Sequence, residues 1–340
     1  MKTNTRFWIS LSAALGMLLL ILDSKTALQG AAQGIEICIQ TAIPSLFPFF
    51  LFSVLLTSGL FGVSYRLLRP FTRLLGIPKG SESLFLIGLV GGYPTGAQCI
   101  AQSCRSGALS KQDGLRMMGF CCNAGPAFIF GMVAHLFASP VIPWYLWAIQ
   151  ILSAFAVGLC LPKNNTSHAS PVAKNLDFGQ AMNVAVKAMA SVCGWIILFR
   201  ILIVFLDRWF LWLLPSIAKI ALIGSLEISN GCIALGEVPS EGLRFLLCGC
   251  MLSFGGLCVG MQTVSVTFPI GTGQYFPGKL LQLLFTFFGC GITQAVLFPT
   301  SEKTNIPAGI WSLAAAILGI TLFLIGKSKN KGRNFVSLPV

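Results

Sequence analysis

The chain has 340 residues, of which 55% are hydrophobic and only 10% charged, against roughly a quarter charged in soluble domains. The formal net charge of +13 comes from 23 basic and 10 acidic residues. The basic residues stand at the ends of apolar runs and in the C-terminal "KSKNKGR", which records membrane orientation and excludes a nucleic-acid footprint. The twelve cysteines form no CxxC pair and lie mostly within apolar runs, so they read as small buried side chains, the adjacent Cys121 and Cys122 included.

In chain order, "MKTNTRFWISLSAALGMLLLILD" opens with two basic residues and an apolar run without a clean cleavage site, which predicts an uncleaved signal-anchor helix and an amphipathic linker over residues 1–40. A bilayer core needs about 20 apolar helical residues. Eight segments are taken as full-length candidates: 7–22, 43–62, 114–137, 144–161, 187–206, 242–262, 280–298 and 308–325. "YRLLRPFTRLLGIPK", just after the second span, reads as a basic amphipathic helix on the inner leaflet. "NNTS" at Asn164, in an expected cytoplasmic loop 162–178, carries no meaning there, and His135 and His168 have no partners in motif spacing.

Two further apolar stretches, Ser81 to Gly107 and Lys219 to Val238, are interrupted in the middle. In the first, "GLVGGYPTGAQC" divides two arms of about 15 and 16 Å, each long enough for half a bilayer. Either stretch is one kinked crossing or a re-entrant hairpin. If both are hairpins and the N-terminus is inside, seventeen basic residues face inward and five outward; if both cross, the score falls to thirteen against nine. The hairpin arrangement is preferred, with the two hairpins entering from opposite faces.

Opposite entry is what an inverted repeat produces. "CIA" at Cys99 recurs at Cys232 and "GLR" at Gly114 recurs at Gly242; a glycine-broken helix follows each, "NAGP" at Asn123 and "SFGG" at Ser253. The expected organisation is a first repeat over 41–161, a second over 179–300, and a last span with a basic cytoplasmic tail over 301–340.

The segments "GGYPTGA", "LSKQDGLRMMGFCCNAGPAFIFG", "LEISNG" and "LSFGGLCVGMQ" together resemble the YlbJ-type sporulation integral membrane proteins, within the nucleoside-recognition or Gate-domain superfamily. The resemblance covers roughly residues 40 to 300. It implies an all-α polytopic protein of a bacterial inner membrane, with both termini cytoplasmic and a developmental role in spore formation. The chain departs from the family pattern at Cys122, where paired asparagines are usual, and at Gly260, where a histidine is frequent.

Irregular backbone at membrane depth survives only where protein or water covers it, so the breaks are expected to line a cavity. At the first, Gly91, Gly92, Pro94 and Gly96 break the helix while Tyr93, Thr95 and Gln98 supply polar groups. The half-helix beyond the break aims its free amides at the tip. The alternative is a packed kink in which Thr95 and Gln98 only cap those amides. At the second, Glu227 stands in an apolar hairpin beside Ser229 and Asn230; an ionised acid there costs about 2.5 to 3.5 kcal/mol, so it is a coupling group, a ligand acceptor, or the internal partner of Arg200. Asn123, Gly125 and Pro126 on one side, and Gly255, Gly256 and Gln262 on the other, are expected to meet the tips.

These residues predict a transporter-like protein that moves or gates a small polar, nucleoside-like solute, coupled to a proton or a sodium ion and without a cofactor. A second copy of the chain is the further partner considered. The alternative is a non-transporting scaffold or assembly factor. No nucleophile–base pair or metal cluster stands at usable spacing, so no enzyme is expected.

Overall fold

The computed structural model describes residues 2–60, 67–163, 177–298, 310–312 and 314–322, and among them every regular element is a helix. Asn164, His168, Lys303, most of the 162–178 loop, and the C-terminal tail lie outside the described residues.

The chain begins with α1 (Lys2–Leu22) and α2 (Ser24–Ile37), which passes through a π-helical turn, Cys38–Ala42, into α3 (Ile43–Leu60). The turn has a local cause. Pro44 cannot donate to the carbonyl four residues back and its ring crowds that carbonyl; the wider turn, closed by Ile43 N–H on Cys38 O, shifts the register by one residue. After the short α4 (Arg69–Leu74) come α5 (Glu82–Val90), α6 (Thr95–Arg105), α7 (Lys111–Met117), α8 (Pro126–Gly131) and α9 (Ile142–Cys160). The second half holds α10 (Phe178–Trp209), α11 (Ser216–Leu226), α12 (Ile228–Leu235), α13 (Glu241–Phe254), α14 (Gly256–Thr267) and α15 (Tyr275–Leu297).

Residues 24–37, expected to be a linker, are part of the bundle. Gly30 and Gly34 lie against Ile201 and Ile197 of α10 so closely that a Cβ on either would stand 2.8 Å from a backbone Cα. Further along, Cys38 Sγ reaches Cys193 O at 3.7 Å, and Arg208 grips Asp23 at 2.9 Å and Thr26 at 2.8 Å. Each step along α2 is matched by a backward step along α10, so the two helices are antiparallel over their shared length. A Gly-x-x-x-Gly spacing permits this approach and leaves dispersion contacts and carbonyl dipoles to hold it.

Both interrupted stretches fold back on themselves. In a continuous helix Gly224 and Gly231 would be about 10 Å apart along the axis, yet a Cβ on Gly231 would collide with the Cα of Gly224. α5 and α6 close in the same way: a Cβ on Gly96 would stand 3.1 Å from the Cα of Gly88, and one on either glycine would strike the carbonyl of Cys121. The first tip runs Gly91-Gly92-Tyr93-Pro94 with Gly92 at φ +70°; in the second, Glu227 alone separates α11 from α12.

The expected span 114–137 is not one helix. It is α7, an irregular run through residues 118–125, α8, and a 3-10 turn at Val133–Leu136. The irregular run lies between the arms of the first hairpin and the rest of the bundle, where Cys121 O contacts Gly88 and Gly96. The expected span 242–262 is α13 and α14, divided by Gly255 and Gly256 at φ +79° and +76°. Among the described residues, five helical segments are long and apolar enough to cross a membrane, namely 24–52, 142–160, 178–209, 241–267 and 275–297. Shorter apolar helices are Ala13–Leu22, within the expected span 7–22, Ser216–Leu226, and the described residues of 310–322.

The recurring "GLR" has a structural counterpart. Ser110 caps α7 through Asp113 N at 3.1 Å and Ser240 caps α13 through Leu243 N at 3.2 Å. Arg116 then donates to Pro162 O, Gly158 O and Leu161 O at the end of α9, while Arg244 donates to Val238 O and Leu136 O. Both arginines satisfy carbonyls that helix ends leave without partners.

Candidate functional site: a cavity between the two hairpin tips

The hairpins point their tips at each other across a cavity of about 40 Å³, room for no more than a few waters. The first tip contributes Gly91, Gly92 and Tyr93, the second Glu227 and Ser229, the segment after α7 Gly125, and α14 Gln262. Leu46 and Phe50 of α3 with Val192 and Ile196 of α10 form the apolar wall. Four elements distant in sequence therefore deliver the breaks to one place, and two of them come from each half of the chain.

Glu227 is 1% exposed. Its carboxylate caps α12, accepting from Ser229 N at 3.0 Å, Asn230 N at 2.7 Å and Asn230 Nδ2 at 2.7 Å. At the N-terminus of α12 the negative group is thus supplied by the chain itself. Arg200 does not touch Glu227: it donates to Asn230 Oδ1 at 2.9 Å, and its other nitrogens hold Gln33 Oε1 at 2.9 and 3.1 Å. Asn230 thus relays between acid and base, and Arg200 ties α2, α10 and α12 together.

Tyr93 links the halves. Its hydroxyl donates to Leu252 O at 2.6 Å, one of the last carbonyls of α13, where the left-handed residues at Gly255 and Gly256 end the regular bonding. The tip of the first hairpin satisfies the break of the second broken helix. Gly256 in turn lies close to the carbonyls of Leu226 and Gly224, so the same break also abuts the second tip.

Of the remaining expected residues, Thr95 and Gln98 lie on α6 outside the cavity wall, and Asn230 sits behind Glu227. Pro94, Gly96, Pro126, Gly255 and Gly256 shape the breaks without lining the cavity. Asn123 turns away from it: Asn123 Nδ2 donates to Phe120 O at 2.9 Å and its Oδ1 accepts from Gln282 Nε2 at 2.8 Å. Cys122 is buried, and Gly260 faces the ring of Phe276 rather than the cavity.

Asn123 belongs to a second buried polar group that the residue patterns did not bring out. Lys279 is 1% exposed and donates to Gln282 Oε1 at 2.8 Å. Gln282 Nε2 also approaches Gln150 Oε1 at 3.3 Å, and Gln150 Nε2 donates to Gly249 O at 3.1 Å. The Lys279 ammonium lies 5.4 Å from the centre of the Tyr93 ring and 6.0 Å from that of Tyr275. Lys279 is one of the seventeen basic residues that the charge score sets facing inward; enclosed in the interior, it carries no orientation signal. A sequence trace does exist, because Tyr275, Lys279, Gln282 and Thr286 follow one another at helical spacing along a single face of an otherwise apolar helix.

No protein family's profile matches the chain, and no solved structure matches it. The sporulation integral membrane protein YlbJ of Bacillus subtilis (strain 168) is 25% identical over 306 residues, covering 76% of this chain and 75% of its own length. That similarity supports the resemblance to the sporulation proteins and is silent on the wider nucleoside-recognition superfamily. The chain is a multi-pass integral membrane protein with a distant homologue named for sporulation.

Proposed function

We propose that this protein is a transporter-like membrane protein that moves or gates a small polar solute, with the cavity between the hairpin tips as its solute site. The observation that carries the reading is the convergence of Tyr93, Glu227, Ser229 and Gln262 on one cavity from both halves of the chain. In this reading the two halves form an inverted repeat, the hairpins re-enter from opposite faces of a bacterial inner membrane, both termini are cytoplasmic, and the protein performs no covalent chemistry. Substrate sites of inverted-repeat transporters lie where discontinuous helices meet.

Two contacts at the ends of the molecule support alternating access. Arg105, at the mouth of the first hairpin, donates to Val266 O near the end of α14, and Arg244, at the start of α13, donates to Leu136 O. These latches join the two halves at opposite ends of the 241–267 segment, and both are closed here. Breaking one while keeping the other opens the cavity to one side. A cavity of this volume is then the occluded form.

The test is solute uptake into proteoliposomes, with nucleosides as the first solutes because of the family resemblance, and with imposed proton and sodium gradients to identify the coupling ion. Glu227→Gln is expected to abolish uptake, and Arg105→Ala and Arg244→Ala to make the protein leak from opposite sides. Unchanged uptake in Glu227→Gln removes this site. The second reading, a scaffold in spore formation, is favoured by the diversion of Asn123 into an internal network and by the name of the relative; a sporulation phenotype insensitive to Glu227→Gln supports it.

A further inference from the structure

Among the described residues no carboxylate pairs with the buried ammonium of Lys279. The ion pairs Asp23–Arg208 and Asp207–Lys219 leave this buried ammonium out. One of its three N–H groups has Gln282 Oε1, and the others face aromatic rings. Two hydroxyls in the same neighbourhood, Tyr275 Oη and Thr263 Oγ1, are fully enclosed and face each other, with no other hydrogen-bond partner. Burying a cation costs several kcal/mol unless it is paired, and each unsatisfied buried polar group adds to that cost. What the described surroundings of Lys279 lack is negative charge.

We propose that Lys279, Tyr275 and Thr263 form an anion subsite that takes a carboxylate or phosphate group, and that Tyr93 is its door. The ring of Tyr93 covers the Lys279 ammonium on one side and lines the tip cavity on the other. Swinging that ring releases its bond to Leu252 O and opens the Lys279 ammonium to the tip cavity. An anionic oxygen then meets the ammonium and both hydroxyls, while Gln282 and Gln150 hold the lysine in place. The inference rests on the solute site described above and narrows its substrate class: the solute, or an ion moved with it, carries a negative group.

The experiment is equilibrium binding to the purified protein in neutral-lipid nanodiscs, read as the shift of the thermal midpoint with sodium phosphate or sodium acetate at constant ionic strength, gluconate serving as the bulky reference anion. A saturable rise of the midpoint is expected for the native chain. Lys279→Met should abolish it and Lys279→Arg should retain part of it. Tyr275→Phe deletes a hydroxyl whose one neighbour is that of Thr263, so it should fold as the native chain does and bind about ten- to a hundredfold more weakly. Phosphate without acetate points to a free inorganic anion, acetate to a carboxylate-bearing solute. The proposal is overturned if the midpoint ignores both anions, the donors then serving internal water alone, or if Tyr275→Phe and Lys279→Met respond as the native chain does. No gradient enters this measurement, so saturable binding without uptake would overturn transport alone, and uptake indifferent to Lys279→Arg and Tyr275→Phe would overturn the anion subsite alone.

Discussion

Two side chains at the tips hold backbone groups that the breaks set free. The Glu227 carboxylate takes up the first amides of α12, and Glu227→Ala is expected to cost about 0.5 to 2 kcal/mol, the usual worth of an N-cap, read as a lower thermal midpoint in detergent. The Tyr93 hydroxyl takes up a carbonyl of α13. Tyr93→Phe should cost about 1 to 3 kcal/mol because that carbonyl is left buried and unpartnered, with far-UV circular dichroism unchanged. Asn230→Ala separates the roles of Glu227, since it removes the link to Arg200 but keeps both backbone amides on the carboxylate. A loss of function in Asn230→Ala with the stability of α12 intact would identify the Arg200 relay, rather than the cap, as the working part.

At the scale of elements, the fold depends on helices approaching closer than side chains allow. Gly34→Ala inserts a Cβ 2.8 Å from the Cα of Ile197, so α2 must move off α10 or the helices must shift, and a lower midpoint is expected. Gly194, on α10 itself, faces open space; Gly194→Ala should be neutral or stabilise by up to about 1 kcal/mol through the reduced entropy of the unfolded chain. If the two alanine variants behave alike, the close packing of α2 on α10 is not what holds them. Gly96→Ala is expected to be more severe than either, because its Cβ would meet the carbonyl of Cys121 where three backbone segments cross. This element also shows where local reading falls short. "GAAQG" at residues 30–34 lies in a segment that reads as a linker, so its role as a packing face emerges only once α10 lies beside it.

At the scale of the whole molecule, the mouths of the two hairpins stand at opposite ends of the 241–267 segment. Ser106 and Glu237, one at each mouth, are exposed, whereas every native cysteine among the described residues is buried or partly so. With a membrane-impermeant maleimide on intact cells, Glu237→Cys should label directly and Ser106→Cys only after permeabilisation. Labelling of both from one side would mean that the intervening chain crosses the membrane a different number of times than an inverted repeat requires. The charge count behind this orientation is weaker than its total suggests. Lys279 and Arg116 are buried in the interior and report packing rather than the side of the membrane.

Composition and run length alone determined that the chain is helical and lives in a bilayer, since hydrocarbon admits no other backbone that satisfies its own polar groups from a sequence without strand alternation. The glycines and proline of "GLVGGYPTGAQC" and the acid of "GSLEISNG" likewise located both hairpins, because a break in an apolar helix is costly wherever nothing covers it. Tertiary structure decided which polar residues share a site. It sent Asn123 to Gln282 and away from the cavity, set Asn230 between Glu227 and Arg200, and enclosed Lys279 under Tyr93. Those outcomes depend on contacts between residues more than a hundred positions apart in some cases, fixed by how closely glycine faces let helices approach. No local pattern encodes that distance, so the tips are legible in the sequence while their partners are not.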